Sequence, residues 1–381
     1  MSRCEIRIMR ESSTSASNLP RVLHVTESFG GGVGNAVLDY VASTPEFEHH
    51  LLYAERADSP IPPESLKPFL SIRLMDSGHA GGLRSTVRLM RSGAWDIVHA
   101  HSSFGGVYAR LALGGSQKRL VYTPHCYAFE RRDVGLAARL LFALAERALR
   151  WRTDVFAACA PREAALSSGW PSRPVVYVPN IASSDEVSWK NEQSERSPLF
   201  VFGAGRDAPQ KDPDYFLACV RALRESGLAV RAAWLGGSEA LRARFAPENI
   251  SVTGWLSRAE VMRLMADGGI YIHTAAWEGF PVAILEAAKI GVPTLARSIP
   301  AYAGLAIPQF DSPAQLAEKL TEIDSQDKLL DLVDRSRQAL RFNSPEHQRA
   351  ALLRAYGASF PSRPQLRAGM KGAWLSDRGD D

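Results

Sequence analysis

The sequence predicts an α/β protein of two parallel-sheet domains that face each other across a cleft. Three observations carry this expectation. The chain has 381 residues, about twice what one compact domain needs. Short β-branched runs alternate with helical stretches in both halves, the pattern of parallel sheets with crossover helices. A polar Ser- and Glu-rich stretch, residues 183–197 (SSDEVSWKNEQSERS), breaks the series near mid-chain and reads as a linker.

In chain order, residues 1–18 are polar, without an apolar core, and read as a disordered leader rather than a secretory signal. Residues 21–26 (RVLHVT) form the first buried-strand candidate, followed by the glycine run Gly30–Gly34 and a helix over 35–42. Strands are expected at 50–54, 95–101, 120–123, 155–158 and 175–178, with helices over 106–113 and 137–150. Beyond the linker, strands are expected at 199–202, 230–235, 250–253, 270–273 and 293–296, and helices over 214–226, 258–267 and 281–290. The domains are thus 19–182 and 198–344, with a helix over 345–360 and a flexible tail over 361–381.

Hydrophobic residues make up 45 % and charged residues 23 % of the chain, ordinary values for a soluble globular protein. The net charge of +4 is too small for a nucleic-acid footprint but suits an anionic ligand or membrane surface. The four cysteines form no CxxC pair, which argues against a disulfide framework and for a reducing compartment. No run approaches the roughly 20 apolar residues of a spanning helix. The expected location is cytoplasmic, with the inner face of the plasma membrane as a second candidate.

The most informative stretch is residues 278–286 (EGFPVAILE). Glu278 falls in the turn after the strand ending at His273. Gly279 lets backbone approach a ligand, and Pro281 suits the first turn of a helix that carries Glu286 more than one turn in. The amides of Gly279, Phe280 and Val282 then favour an anion. Two carboxylates beside an anion site would repel a bare phosphate, but hydroxyls on the same ligand remove the conflict. Taken alone, the pair reads more readily as an acidic helix start with a solvated Glu286.

The surroundings change that balance. In residues 202–211 (FGAGRDAPQK), Gly203 and Gly205 end a strand, and Arg206 and Lys211 flank a Pro-containing loop. Both cations can reach one diphosphate, Arg as a planar fork and Lys as a compact charge. Gly236 ends the next strand. These features fall in order on successive strand–helix units.

The pattern resembles the C-terminal half of the retaining GT-B glycosyltransferases of family four. Their hallmark is two glutamates with seven residues between them, as at Glu278 and Glu286. The lead-in Val252-Thr-Gly254, Arg258-Ala-Glu-Val261 and Ile270-Tyr-Ile-His273 is similar too, as is the exit at 287–293 (AAKIGVP). The likeness spans roughly residues 21–296. It implies the GT-B fold, with an N-terminal Rossmann-like acceptor domain, a C-terminal nucleotide-sugar domain, and helix 345–360 packed back on the first domain. By position it assigns Glu286 to the donor ribose, Glu278 to the donor sugar, and Arg206 and Lys211 to the diphosphate. Gly203, Gly236, Gly279, Phe280 and Pro281 line the donor pocket in the same reading.

In the first half, the run Gly30–Gly34 (GGGVG) is not the dinucleotide fingerprint. It suits phosphate as a glycine nest, or is a tight turn. The resemblance sets it against the donor diphosphate, through Gly31 and Gly32. His99-Ala-His101 lacks a third ligand spaced to complete a metal site, so no metal is expected. His125 matches the family histidine that contacts the donor sugar, whereas Cys126 stands where the family has Gly. Leu136, Leu140, Leu141, Leu144, Ala148 and Trp151 share one helix face, read as core-facing, with Arg139, Glu146, Arg147, Arg150 and Arg152 around the solvated rest. A membrane-surface role for that helix is the minority reading. After Ala296 the family's Gly-Gly-x-x-Glu is replaced by residues 297–303 (RSIPAYA), which puts donor contacts from that loop in doubt.

The implied function is retaining transfer from a nucleoside-diphosphate sugar, UDP- or GDP-linked, to a glycan or lipid-linked acceptor of surface-polysaccharide synthesis. His125, Glu278, Arg206 and Lys211 carry the chemistry, with no cofactor, no metal and no nucleic-acid partner. Two alternatives stay open: a GT-B sugar-nucleotide epimerase, and a non-catalytic nucleotide-sugar binder.

Overall fold

The computed structural model describes residues 19–357, apart from 56–60, 94, 113–118, 170–172, 183–186, 191–197 and 324. The expected leader, tail, residues 358–360 of the last helix and most of the linker lie outside the described residues.

The first domain runs β1 (Arg21–Thr26), α1 (Gly31–Ser43), β2 (Glu48–Tyr53), β3 (Ser71–Leu74), α2 (Gly78–Ser92), β4 (Ile97–His101) and α3 (Ser103–Leu111), then β5 (Arg119–Thr123), α4 (Leu136–Leu149), β6 (Val155–Ala158), α5 (Pro161–Ser168) and β7 (Val175–Tyr177). Its seven strands lie in the order β3-β2-β1-β4-β5-β6-β7, and every pairing is parallel.

The second domain runs β8 (Leu199–Gly205), α6 (Pro213–Glu225), β9 (Val230–Gly236), α7 (Glu239–Phe245), β10 (Ile250–Val252), α8 (Arg258–Ala266) and β11 (Ile270–His273). It continues with α9 (Val282–Ile290), β12 (Thr294–Arg297), β13 (Gln309–Phe310), α10 (Pro313–Thr321), α11 (Gln326–Ala339) and α12 (Pro345–Tyr356). This six-stranded parallel sheet has the order β10-β9-β8-β11-β12-β13.

Central strands are apolar on both faces because helices cover both; Val22, Leu23, Val25, Val201 and Phe202 are fully buried. Each sheet changes its direction of growth once, between β1 and β4 and between β8 and β11. Ligands of such sheets bind beyond the carboxyl ends of the strands at that point.

Three features join the halves. Cys159 and Ala160, after β6, share a core with Tyr271, Phe280, Ile284 and Tyr302 of the second domain. Of the linker, residues 187–190 are tied to the second domain, with Trp189 N donating to Ile290 O at 2.9 Å and Lys190 N to Ala266 O at 2.7 Å. Helix α12 returns to the first domain. There Ser43 Oγ donates to Gln348 Oε1 at 2.7 Å, Gln348 Nε2 to Pro179 O at 2.9 Å, and Tyr356 Oη meets His99 Nδ1 at 3.0 Å. The helix stops at Gly357, whose φ of 76° is the left-handed C-cap.

Helix α4 overturns the core-facing expectation. Leu136, Leu140, Leu141, Leu144 and Trp151 are 69, 56, 65, 63 and 52 % exposed. The buried side carries Glu146, which accepts from Arg110 Nη1 at 2.8 Å and from Tyr122 Oη at 2.9 Å. Arg110 is fully buried, with its guanidinium over the Tyr122 ring. A buried cation needs its counter-charge more than the helix needs to hide its leucines, so the polar side turns inward. No helix among the described residues is long and apolar enough to cross a membrane.

This arrangement sets opposite costs for two substitutions on one helix. Glu146→Ala leaves Arg110 buried and uncompensated and should cost about 3 kcal/mol or more in urea unfolding. Leu141→Ser on the exposed face should change stability by less than about 0.5 kcal/mol. The reverse order would mean that α4 packs its leucines inward.

Candidate functional site

The site is built at the carboxyl ends of β8, β9 and β11, closed from the other side by the loop after β5. Glycine backbone sets the first part. A Cβ on Gly205 would lie 2.7 Å from Lys211 Cγ, and one on Gly236 would lie 2.5 Å from the Gly205 carbonyl oxygen; both residues have positive φ. Only glycine allows β8, β9 and the 206–212 loop to draw this close. Arg206 follows Gly205 directly and is half-buried. Gly203, expected at the strand end as a donor contact, lies instead inside β8, where a Cβ would meet the Trp234 ring at 2.6 Å. Its lack of a side chain serves core packing.

Lys211 Nζ forms an ion pair with Glu278 Oε1, and Gln210 Nε2 donates to Glu278 Oε2 at 3.3 Å. The loop is held by Thr274 Oγ1 donating to Lys211 O at 3.0 Å and by Arg297 Nη1 donating to Asp212 Oδ2 at 2.7 Å. Arg297 thus works from the stretch that departs from the family pattern. Beside Glu278, His273 bonds Tyr271 Oη through Nδ1 at 2.8 Å. Its Nε2 is buried without a partner, 4.0 Å from Glu278 Oε1. Burial, then the charge of Lys211, holds the His273 pKa well below its usual value, so this contact is no charge pair. Tyr302 Oη is likewise buried without a partner, its ring 6.1 Å from that of His273. Unsatisfied buried polar groups are rare and ask for a ligand or water.

Helix α9 starts at Val282, with Pro281 at its N-cap in extended conformation rather than in the first turn. Proline has no N–H to give, and its ψ of 115° starts the helix one residue later. Phe280 is buried, and its carbonyl accepts from Asn180 Nδ2 of the first domain at 3.4 Å. The solvated reading of Glu286 fails. It is 5 % exposed and paired with Arg258 Nε, whose Nη1 lies 3.8 Å from Asp39 Oδ1 of α1. This acid–base–acid set crosses the cleft. Burial pushes the Asp39 carboxyl up to about 7. Arg258 Nη2 and Asp39 Oδ2 are buried without partners.

On the first domain, α1 begins at Gly31, not at residue 35, so Gly31 and Gly32 form its exposed first turn. Gly34 N donates to Gly30 O at 3.3 Å, which winds the glycine run into the helix. No side chain caps the amides there.

The loop after β5 makes the closest approach across the cleft. A Cβ on Gly279 would lie 2.7 Å from both Cys126 N and His125 C, so the two backbones touch. His125 and Cys126 have φ of 51° and 95°. The second value favours glycine, the residue the resembled family carries there, and holds Cys126 under strain. The bend is braced by buried Glu163, which accepts from Cys126 N and, at 3.0 Å, from Cys159 N. Burial pushes the Glu163 carboxyl up to about 7. Burial also raises the Cys126 thiol well above its usual pKa, which suits packing rather than reactivity.

Behind His125 lies a group of histidines that sequence spacing did not assemble. The parallel register sets His24 beside His99, and ring contacts link His24 to His49, His99 and His101, and His101 to His125. His24, His99 and His101 offer ring nitrogens within 4.8 Å of one another. Each of these nitrogens already has a hydrogen-bond partner, so the group is satisfied as it stands.

Residues 31–181 match the family described as "Glycosyl transferase 4-like domain", and residues 197–325 match "Glycosyl transferases group 1". The chain belongs to the group 1 glycosyltransferases. Its two parallel-sheet domains are the GT-B fold. It is 22 % identical to an uncharacterized 41.2 kDa protein in the cps region of Klebsiella pneumoniae, covering 82 % of this chain and 89 % of that one. It is 26 % identical, over 64 % of this chain and 67 % of the other, to the Escherichia coli UDP-Gal:alpha-D-GlcNAc-diphosphoundecaprenol alpha-1,3-galactosyltransferase. Anabaena HepE, solved with UDP and glucose, matches in fold with a TM-score of 0.68 at 15 % identity, covering 90 % of this chain and all (100 %) of that one.

The transferase's buried histidines make its stability pH-dependent. The pKa values of His24, His49, His50, His99, His101, His125 and His273 are lowered, chiefly by burial. Below about pH 6.5 the unfolded chain takes up protons that the fold refuses, a loss of about 1.4 kcal/mol per pH unit for each histidine. Raised carboxyls at Glu27, Asp39, Glu130 and Glu163 act in the opposite direction but are fewer. The urea midpoint should therefore be lower at about pH 5.5 than at about pH 7.5; a rise would contradict this balance.

Proposed function

We propose that the enzyme transfers a hexose, with retention and without a divalent metal, from a UDP- or GDP-linked donor to a lipid-linked or polysaccharide acceptor. One observation carries the reading. The Lys211–Glu278 pair sits next to the backbone contact of Gly279 with His125–Cys126, so a cation, a carboxylate and both domains converge on one point.

Breaking the anomeric bond puts negative charge on the leaving diphosphate. Fixed cations and amides stabilise such charge without reorganising. Lys211 and Arg206 supply the cations, and the exposed first turn of α1 at Gly31 and Gly32 supplies amides from across the cleft. Glu278, with the backbone of Gly279 and Phe280, holds donor-sugar hydroxyls. Glu286 holds the ribose diol, where the unpartnered Arg258 Nη2 and Asp39 Oδ2 offer further hydrogen bonds. Each glutamate is already matched by a cation, which favours gripping hydroxyls over acting as a glycosidase acid–nucleophile pair. In the retaining step the acceptor oxygen attacks on the face the diphosphate leaves, and the departing phosphate takes its proton.

The E. coli relative's diphosphoundecaprenol substrate supports a lipid-linked acceptor class here. The exposed α4 face supports contact with a membrane surface, with Leu136, Leu140, Leu141, Leu144 and Trp151 bordered by exposed Arg132, Arg147 and Arg152. An apolar strip edged by arginines suits the interface of an anionic bilayer.

With UDP- and GDP-sugars in EDTA, nucleoside diphosphate should be released only when an undecaprenyl-diphosphate-linked glycan is added. Conversion without acceptor would make the protein an epimerase, and tight binding without turnover a sensor. Complete loss of activity in EDTA would remove metal independence. Glu278→Gln should lower kcat by roughly 100-fold. Glu286→Gln should raise the donor KM by about tenfold with a smaller change in kcat. Wild-type kinetics in both variants would sink the assignment. The protein should also sediment with anionic vesicles at low salt, and less so after Leu140→Ser with Leu141→Ser. No sedimentation of the intact protein would exclude the membrane contact.

A further inference from the structure

Four histidines stand in a hydrogen-bonded row that begins at a backbone carbonyl and ends at the candidate site. His49 Nε2 lies 2.9 Å from Thr44 O, and His49 Nδ1 lies 3.0 Å from His24 Nε2. His24 Nδ1 lies 2.9 Å from His101 Nε2, and His101 Nδ1 lies 3.2 Å from His125 Nε2. His24, His49 and His101 are buried. His99 stands beside the row but is held separately, by Thr123 Oγ1 at 2.9 Å and Tyr356 Oη at 3.0 Å.

The direction of every bond in the row follows from its first member. A carbonyl oxygen only accepts, so His49 donates through Nε2. The Thr44 hydroxyl cannot reverse this, because it donates to Tyr40 O at 2.7 Å and so also faces His49, at 3.3 Å, as an acceptor. A neutral imidazole carries one N–H, so His49 Nδ1 accepts and His24 Nε2 donates to it. His24 Nδ1 then accepts from His101 Nε2, and His101 Nδ1 accepts from His125 Nε2. Burial keeps the rings neutral, His125 down to a pKa of about 3. At the far end His125 Nδ1 is left as a lone pair, with no hydrogen-bond partner among the described residues.

We propose that the row is a tautomer lock: through three buried histidines, the Thr44 carbonyl fixes His125 as an Nε2–H imidazole whose Nδ1 accepts a hydrogen bond from a donor-sugar hydroxyl. The hydroxyl's identity rests on the proposed function; the lock does not. His49, His24 and His101 are positioning residues that act through His125. The row carries no proton onward, because the Thr44 carbonyl closes its inner end. A ring free to change tautomer would present an Nδ1–H to the same hydroxyl in part of its population and lose there the bond that the hydroxyl donates.

Long-range proton–nitrogen correlation spectra of the full chain, labelled with nitrogen-15 in its histidines, read the tautomers directly. At about neutral pH all four rings should be in the Nε2–H form. An Nδ1–H form, an averaged signal or an imidazolium at any of the four overturns the lock, whatever the protein's activity. His24→Leu breaks the row in the middle, whereas His24→Gln keeps one acceptor and one donor. In the leucine variant His125 should become a mixture of tautomers, and the donor KM should rise roughly tenfold with kcat less affected. The glutamine variant should recover most of both effects. An unchanged His125 tautomer in the leucine variant overturns the proposal. If that variant does not fold, the wild-type spectrum still decides. A protein with no transferase activity but the predicted tautomers keeps the lock and loses only the sugar hydroxyl.

Discussion

The two domains meet backbone against backbone, where Gly279 lies on the peptide between His125 and Cys126. Much of the site depends on that contact. It requires glycine on one side and a left-handed bend on the other. The bend needs a buried brace, which Glu163 provides through the amides of Cys126 and Cys159. It also turns the His125 ring back toward the first sheet, into the row of imidazoles behind it. Cys126 bears the strain of a position better suited to glycine, a cost of order 1–3 kcal/mol for such a conformation.

Three buried or half-buried cations stand in matched sets. Lys211 with Glu278, Arg258 with Glu286 and Asp39, and Arg110 with Glu146 each place a cation against a carboxylate below the surface. Taking two ions from water costs several kcal/mol each unless geometry and extra hydrogen bonds compensate. Arg110 and Glu146 pair inside one domain, with Arg110 Nη2 left buried without a partner, and act as structure, down to dictating which face α4 turns inward. The other two sets border the cleft and are incompletely satisfied. Polar atoms of His273, Tyr302, Arg258 and Asp39 remain buried without partners there. Unpartnered polar atoms beside paired charge leave hydrogen-bonding capacity for a polar ligand or water.

The domain arrangement follows from ordinary sheet topology. Both sheets change direction between a first strand and its crossover neighbour, and the carboxyl ends of those strands carry the site loops. Helix α12 and the Trp189 segment tie the halves together from the outside. The shared core around Cys159, Phe280 and Tyr302 does so from within.

Features encoded locally were legible in the sequence. The strand–helix alternation, the Glu278–Glu286 spacing along one loop and helix, and the glycines at 205 and 236 all depend on residues close in the chain. The half-exposed edge strand β3 and helix α2, whose buried side carries Gly81, Gly82, Ser85 and Thr86, were not read. Misreadings arose where a distant partner decided. Glu146 turned inward because of Arg110, 36 residues away, so an amphipathic helix packs with its leucines outward. Gly203 was claimed by Trp234 and Phe216, and the pairing of Glu286 with Arg258 beside Asp39 was not anticipated. Periodicity and turn chemistry are short-range, so the fold class and the family likeness could be read from the residues alone. Which charges pair, which face of α4 meets solvent and how His24, His49, His101 and His125 align emerge from the folded arrangement. Those outcomes are set by strand register and domain contact, which bring together residues that no spacing rule connects.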